Sequence, residues 1–225
     1  MTAKIKQVQI IILLIQFNFK SVERVFLEKK VKISCDKIEL DGFFQYTSKE
    51  KSAIITHPHP LYGGNMENPV VELLQEELTA KGYSTLRFNF RQVKMDGNDE
   101  DSIRDLEAAI CFLKEQGVGN NLLLAGYSYG SWINTSAISK GLKITDTIMI
   151  SPPIAFLDYK NIETLSSPGL VITGSNDEIA PPELVKKNAA RWNPKLNMEI
   201  INGCDHFYGG YTSKLKEIIS NYLLG

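Results

Sequence analysis

Cysteine is scarce in this chain. Cys35, Cys111 and Cys204 form an odd, widely spaced set. They are too few for a disulfide framework and lack the paired spacing of a zinc cluster, so they point to free thiols in a reducing compartment. Histidine is as rare, with only His57, His59 and His206 present. Charge of one sign is missing too. The chain has 25 Lys and Arg against 26 Asp and Glu, for a formal net charge of −1. That balance removes the reason to expect nucleic acid or an anionic membrane as partner. The apolar run Ile10 to Ile15, which no other run exceeds, is far short of the roughly 20 residues that span a bilayer, so no stable membrane insertion is expected. Lys4 and Lys6 precede that run as in a secretory leader, but Gln9 and Gln16 bound it and no small-residue cleavage site follows. Residues 1–21 are therefore expected to be an N-terminal extension, with 22–225 a single cytoplasmic domain. No repeat or low-complexity tract interrupts it, and 43% hydrophobic with 23% charged residues is ordinary for a globular fold.

What the chain does have is a serine in a glycine frame. Gly126-Tyr127-Ser128-Tyr129-Gly130 follows the apolar run Leu122-Leu123-Leu124-Ala125 and precedes a helix-compatible stretch. This context predicts a strand, a sharp turn with Ser128 at its tip, and a helix. In such a turn a Cβ at position 126 or 130 would collide with neighbouring backbone. A serine hydroxyl is a weak nucleophile at neutral pH. It needs an imidazole to take its proton and a carboxylate to orient that imidazole. Only His206 lies downstream of Ser128, in a loop after the strand-like run from Leu196 to Ile201. Asp177 is the best-placed carboxylate, on a turn after the strand-like Gly169-Leu170-Val171-Ile172-Thr173. Glu178 and Asp205 are its rivals, although Asp205, adjoining His206, would point away from the ring. The order Ser, Asp, His is that of an α/β-hydrolase.

Upstream, Lys51 to Thr56 reads as a strand and is followed by His57-Pro58-His59-Pro60-Leu61-Tyr62-Gly63-Gly64. An oxyanion hole in this architecture uses the N–H after the nucleophile, here that of Tyr129, and a second N–H from the loop after this strand. Pro58 and Pro60 have no N–H, which leaves His59 as the expected second donor and Leu61 as the next. His57 and His59 also invite a metal reading. Zinc wants three or four ligands, however, and no Asp or His follows within the next few positions. The expectation is no metal and no cofactor, with His57 satisfied by neighbouring backbone.

Taken together, His57 to Gly64, Leu86-Arg87-Phe88-Asn89-Phe90-Arg91, the Ser128 pentapeptide and Asp205-His206-Phe207 resemble a family of small, lidless bacterial and archaeal α/β-hydrolases. That family is related to the dienelactone hydrolases and the prolyl oligopeptidase-like enzymes. The resemblance runs from about residue 22 to the C-terminus and implies Ser128, Asp177 and His206 as a catalytic triad, without implying a substrate. One departure stands out. Where the family continues after the arginine with a glycine-rich turn, this chain has Gln92-Val93-Lys94-Met95-Asp96-Gly97-Asn98. Side chains of Gln92 and Lys94 are thus expected near the pocket mouth. Arg87 and Arg91 could steer an acidic substrate, but strand-end arginines more often pair with carboxylates.

Periodicity supports the same architecture. Alternation around Lys32-Ile33-Ser34 and Ile38-Glu39-Leu40, with Val25-Phe26-Leu27 before them, predicts antiparallel edge strands with a turn near Asp41-Gly42. Helical spacing marks Val70, Leu73, Leu74 and Leu78, and again Ile103, Leu106, Ile110 and Leu113. It recurs at Leu184, Val185, Ala189 and Trp192, then at Leu215, Ile218, Ile219 and Tyr222. The expected fold is a mostly parallel sheet with helices on both faces and the site at the strands' C-terminal ends. Only Ser151 to Pro168 separates two strands where relatives insert a lid, so an open pocket for a small ester or thioester is expected. The function read here is a serine hydrolase acting through an acyl-enzyme. Acyl transfer by the same triad, or a dormant binding scaffold, are the alternatives, and a homo-oligomer is compatible with all three.

Overall fold

The computed structural model describes residues 28–91 and 99–224. The extension 1–21 and its boundary, the strand expected at Val25 to Leu27, and Gln92 and Lys94 lie outside the described residues. Strands β1 (Lys29–Cys35) and β2 (Ile38–Gln45) form an antiparallel hairpin. Strands β3 (Lys51–Thr56), β4 (Ser84–Phe88), β5 (Asn121–Tyr127), β6 (Asp146–Ile150), β7 (Gly169–Gly174) and β8 (Asn197–Ile201) run parallel. The helices are α1 (Pro69–Ala80), α2 (Glu100–Glu115), α3 (Tyr129–Ser139), α4 (Pro182–Trp192) and α5 (Thr212–Tyr222). Across the sheet the order is β1-β2-β4-β3-β5-β6-β7-β8, with β2 joined antiparallel to β4. This is the mostly parallel α/β-hydrolase fold, and among the described residues there is no large lid.

Crossover direction decides which face each helix covers. The step from β3 to β4 runs one way along the sheet, whereas the steps from β4 to β5, β5 to β6 and β7 to β8 run the other. Right-handed connections therefore place α1 on one face and α2, α3 and α4 on the opposite one. The two cores follow. Leu74 and Leu78 of α1 pack with Leu215 and Ile219 of α5. Leu106, Ile133 and Val185 belong to the other core. Strand β5 serves both by simple alternation, with Leu122 and Leu124 on one side and Leu123, Ala125 and Tyr127 on the other. On α4 the buried stripe is Val185, Ala189 and Trp192, while Leu184 is exposed, because it sits about 100° off that stripe.

The hairpin turn differs from expectation. It falls at Asp36-Lys37, with Asp36 at φ 54°, a left-handed conformation that aspartate tolerates better than most residues. Asp41 and Gly42 lie inside β2 instead. A Cβ on Gly42 would approach the Arg87 carbonyl oxygen of β4 to 3.1 Å, so this glycine permits a close strand contact and not a turn.

Both arginines of the β4 segment are tied to carboxylates. Arg87 makes a two-pronged contact with Glu28, at 2.7 and 2.5 Å, and also reaches Glu72 at 3.2 Å. The fully buried Asp105 of α2 accepts from the Arg91 backbone N–H at 2.8 Å and from its guanidinium Nε at 2.7 Å. Arg91 further contacts Asp36 and Cys35 of the hairpin, fastening β1 and β2 to α2. Nearby, His57 is buried. Its Nδ1–H donates to the Pro58 carbonyl at 2.6 Å and its Nε2 accepts from the Phe90 N–H at 3.0 Å. Both ring nitrogens are thereby occupied by backbone, joining the loops after β3 and β4.

Replacing Asp105 by Asn removes a fully buried carboxylate from Arg91 and leaves it the outer carboxylates Asp36 and Asp101, and denaturant unfolding should register a loss of roughly 2 kcal/mol. Burial pushes the His57 imidazole down to about 4, although the Pro58 hydrogen bond opposes the shift. Unfolded chains therefore bind a proton at this ring that the folded protein refuses. Stability contributed by the neutral ring is complete above about pH 6.5 and falls by roughly 3 kcal/mol as pH drops toward 4. His57→Gln is expected to be less stable at pH 7 but to show a shallower decline between pH 6.5 and 4.5; an unchanged slope would count against this role.

Candidate active site

The turn after β5 is as sharp as its glycines require. Ser128 sits at φ 53° and ψ −117°, a strained conformation costing about 1–3 kcal/mol that the packing around it must hold. A Cβ on Gly126 would lie 2.5 Å from the Ser131 nitrogen, and one on Gly130 would lie 2.4 Å from the Thr56 carbonyl oxygen at the end of β3. Further bonds lock the tip. The Ser128 N–H donates to the Ile150 carbonyl of β6 at 2.8 Å, and the Ser131 hydroxyl donates to the Ser128 carbonyl at 2.6 Å.

The loops after β7 and β8 arrive beside it. Backbone contact between them is close, with the Asn176 N–H donating to the Cys204 carbonyl at 2.9 Å. A Cβ on Gly174 would reach within 2.1 Å of that oxygen. As a result His206 Nε2 lies 2.9 Å from Ser128 Oγ, and His206 Nδ1 lies 3.0 Å from each oxygen of Asp177. Ser128 is 9%, His206 7% and Asp177 2% exposed, so the group opens to solvent at the hydroxyl and closes over the acid. Glu178 is exposed, and Asp205 accepts from the Phe207 N–H at 2.9 Å. The structure thus brings Asp177, and neither rival, to the imidazole.

Asp177 is well supplied with donors. Oδ1 accepts from the Ile179 and Ala180 N–H groups at 2.9 and 2.7 Å, and Oδ2 accepts from the Ser151 hydroxyl at 2.6 Å. Burial alone would raise its carboxyl, but the hydrogen bond and charge of His206, with the Ser151 and Ala180 bonds, outweigh that and hold it below the usual aspartate range. His206 is anchored from behind, where the Tyr127 hydroxyl donates to its carbonyl at 2.7 Å.

At the other side of the serine, the Tyr129 N–H opens α3, where first-turn donors have no helical partner. The His59 ring packs on the Tyr129 ring with centroids 4.5 Å apart, bringing the loop after β3 alongside. The Leu61 N–H, the alternative donor, is spent on His59 Nδ1 at 3.2 Å. Burial pushes the His59 imidazole down, with Asp99 opposing, which suits a ring nitrogen acting as acceptor. Tyr129 is fixed in turn by its hydroxyl, which donates to Asp99 at 2.8 Å and meets Ser102 at 2.9 Å. Sequence reasoning missed Ser151, Tyr127, Tyr208 and Asp99. Ser151 carried one usable signal, its place directly after a buried strand beside the strands bearing the serine and the acid. Among the described residues, no group of three or more His, Cys, Asp or Glu gathers to hold a metal, and no helix is long and apolar enough to cross a membrane.

The chain is similar to several known proteins. An uncharacterised protein of Rickettsia prowazekii is 34% identical over 187 residues, covering 76% of this chain and 78% of that protein. An alpha-beta serine hydrolase homologue from Coxiella burnetii superposes with a TM-score of 0.78 at 28% identity, over 87% of this chain and 97% of the other. A putative alpha/beta hydrolase from Agrobacterium tumefaciens gives 0.80 at 27% identity, over 87% and 94%. The alpha/beta hydrolase domain family matches residues 51–217, and with the fold and the serine turn in place the chain belongs to that family.

Proposed function

We propose that the protein is a serine esterase working through an acyl-enzyme on Ser128. The observation that carries this reading is the unbroken line from the Ser128 hydroxyl through His206 to Asp177, at 2.9 and 3.0 Å. Ser128 Oγ attacks the acyl carbonyl while His206 Nε2 takes its proton, and Asp177 holds the ring and balances the imidazolium. The oxyanion receives the N–H groups of Tyr129 and His59, each contributing on the order of 3 kcal/mol to lowering the barrier. The imidazolium then protonates the leaving alkoxide, and the acyl group remains on Ser128 as an ester. Water repeats the sequence, losing its proton to His206 and releasing the carboxylic acid. Every step runs on side chains and backbone of this chain.

A neutral ester suits the surroundings best. Leu61, Tyr62, Phe156 and Phe207 are exposed on loops at the same end of the sheet as the serine, a rim for apolar contact. Arg87 and Arg91, two cations that could have drawn an anionic substrate, are committed to carboxylates.

A fluorophosphonate probe should label the wild type and spare Ser128→Ala. On short p-nitrophenyl esters, His206→Ala is expected to reduce turnover at least roughly a hundredfold. An unlabelled wild type would sink the esterase reading and favour a binding scaffold. Labelling accompanied by product only when an acceptor alcohol is present would favour acyl transfer.

A further inference from the structure

Behind the acid lies a second set of hydroxyls that the mechanism above does not use. Ser151, the first residue past β6, and Tyr208, two residues past His206, are both fully buried. Ser151 Oγ lies 2.6 Å from Asp177 Oδ2 and 2.7 Å from the Tyr208 hydroxyl. Thr173 also comes within 3.5 Å of Oδ2, but its hydroxyl donates to the Ala180 carbonyl at 2.6 Å. An ionised carboxylate only accepts, so the single Ser151 proton goes to Asp177 and Tyr208 donates to Ser151. The donors thus run in one direction, Tyr208 to Ser151 to Asp177, each bond polarising the next.

The backbone sets these two residues apart as well. Among the described residues four non-glycines have positive φ. One is Asp36 in the hairpin turn. The other three are Ser128 at 53°, Ser151 at 45° and Tyr208 at 59°, all members of one hydrogen-bonded line that ends at the serine. Strain gathered along a single line of side chains is expected where geometry serves a site more than the fold.

We propose that Ser151 and Tyr208 are positioning residues, a buried hydroxyl relay that keeps Asp177 ionised and aimed at His206. They act on the reaction only through that carboxylate, so the inference rests on the role proposed for Asp177. Besides His206, the ionisable neighbours of Asp177 are Tyr127, Cys204 and Tyr208, each held neutral as burial pushes it up, with the exposed acids Glu178 and Asp205 beyond them. None of these supplies a positive charge that could replace the hydroxyl donor.

The test uses the full chain with Ser151→Gly, which suits the left-handed backbone, and Tyr208→Phe, which removes one oxygen and keeps the ring. The carboxyl carbon of Asp177 is titrated by NMR and assigned by its loss in Asp177→Asn. Its midpoint is expected to rise by roughly one pH unit in Ser151→Gly and by about half a unit in Tyr208→Phe. The acid limb of kcat/KM on a p-nitrophenyl ester should move up with it, with KM unchanged. In the Ser151→Gly background Tyr208→Phe should add no further shift, because its effect passes through the missing hydroxyl. Unmoved midpoints in folded variants overturn the relay, as does a Tyr208→Phe shift that persists without Ser151. Should Ser151→Gly not fold, Tyr208→Phe alone decides. A wild type that resists the fluorophosphonate probe would defeat the esterase reading, while the titration still judges the relay.

Discussion

An ionised carboxylate withdrawn from water has to be surrounded by donors, and the loops at the C-terminal ends of the parallel strands are arranged around that requirement at Asp177. Two backbone N–H groups, one serine hydroxyl and one imidazole converge on its two oxygens. The two N–H groups belong to the acid's own loop, but the hydroxyl and the imidazole come from the loops after β6 and β8, so the condition can be met only if three loops end at one point. A buried charge left without such partners would be neutralised or would unfold its surroundings. The left-handed backbone at Ser151 and Tyr208 makes sense in this setting, since the strain persists where the packing leaves no alternative.

Sheet topology supplies the convergence. Parallel strands point their C-terminal ends the same way, and the chain reverses its direction of travel across the sheet between β4 and β5. Sites form at such reversals because the loops leave toward opposite faces and open a crevice between them. Here the β3 loop, with His59, departs on one side of that crevice and the Ser128 turn stands on the other. Tyr127 then binds strand β5 to the β8 loop through the His206 carbonyl, so the serine strand and the imidazole loop are joined directly.

Much of this was legible in the residues, for reasons that can be traced. Ser128, Asp177 and His206 each follow an apolar run and precede a glycine- or proline-rich segment, and such punctuation marks strand ends well. The two glycines around Ser128 announce a clash that the backbone confirms. Gly42 misled because a glycine after an aspartate reads as a turn, whereas its service is to let β4 pass close by. Asp36 carried the turn with no glycine to mark it. Ser151, Tyr208 and Asp99 left little trace, since their importance comes from partners 26, 57 and 30 residues away in the chain, and no local pattern encodes such a distance.

The short link between β6 and β7 has a kinetic meaning. A covered pocket can refuse a molecule before chemistry begins, by staying shut. With only residues 151–168 in that link, the described residues form no such door over the Ser128 hydroxyl. On the proposed esterase reading, discrimination then falls on the barrier itself, on how well a given acyl group fits the oxyanion donors at the moment of attack. Selectivity of that kind is read in relative rates rather than in affinities.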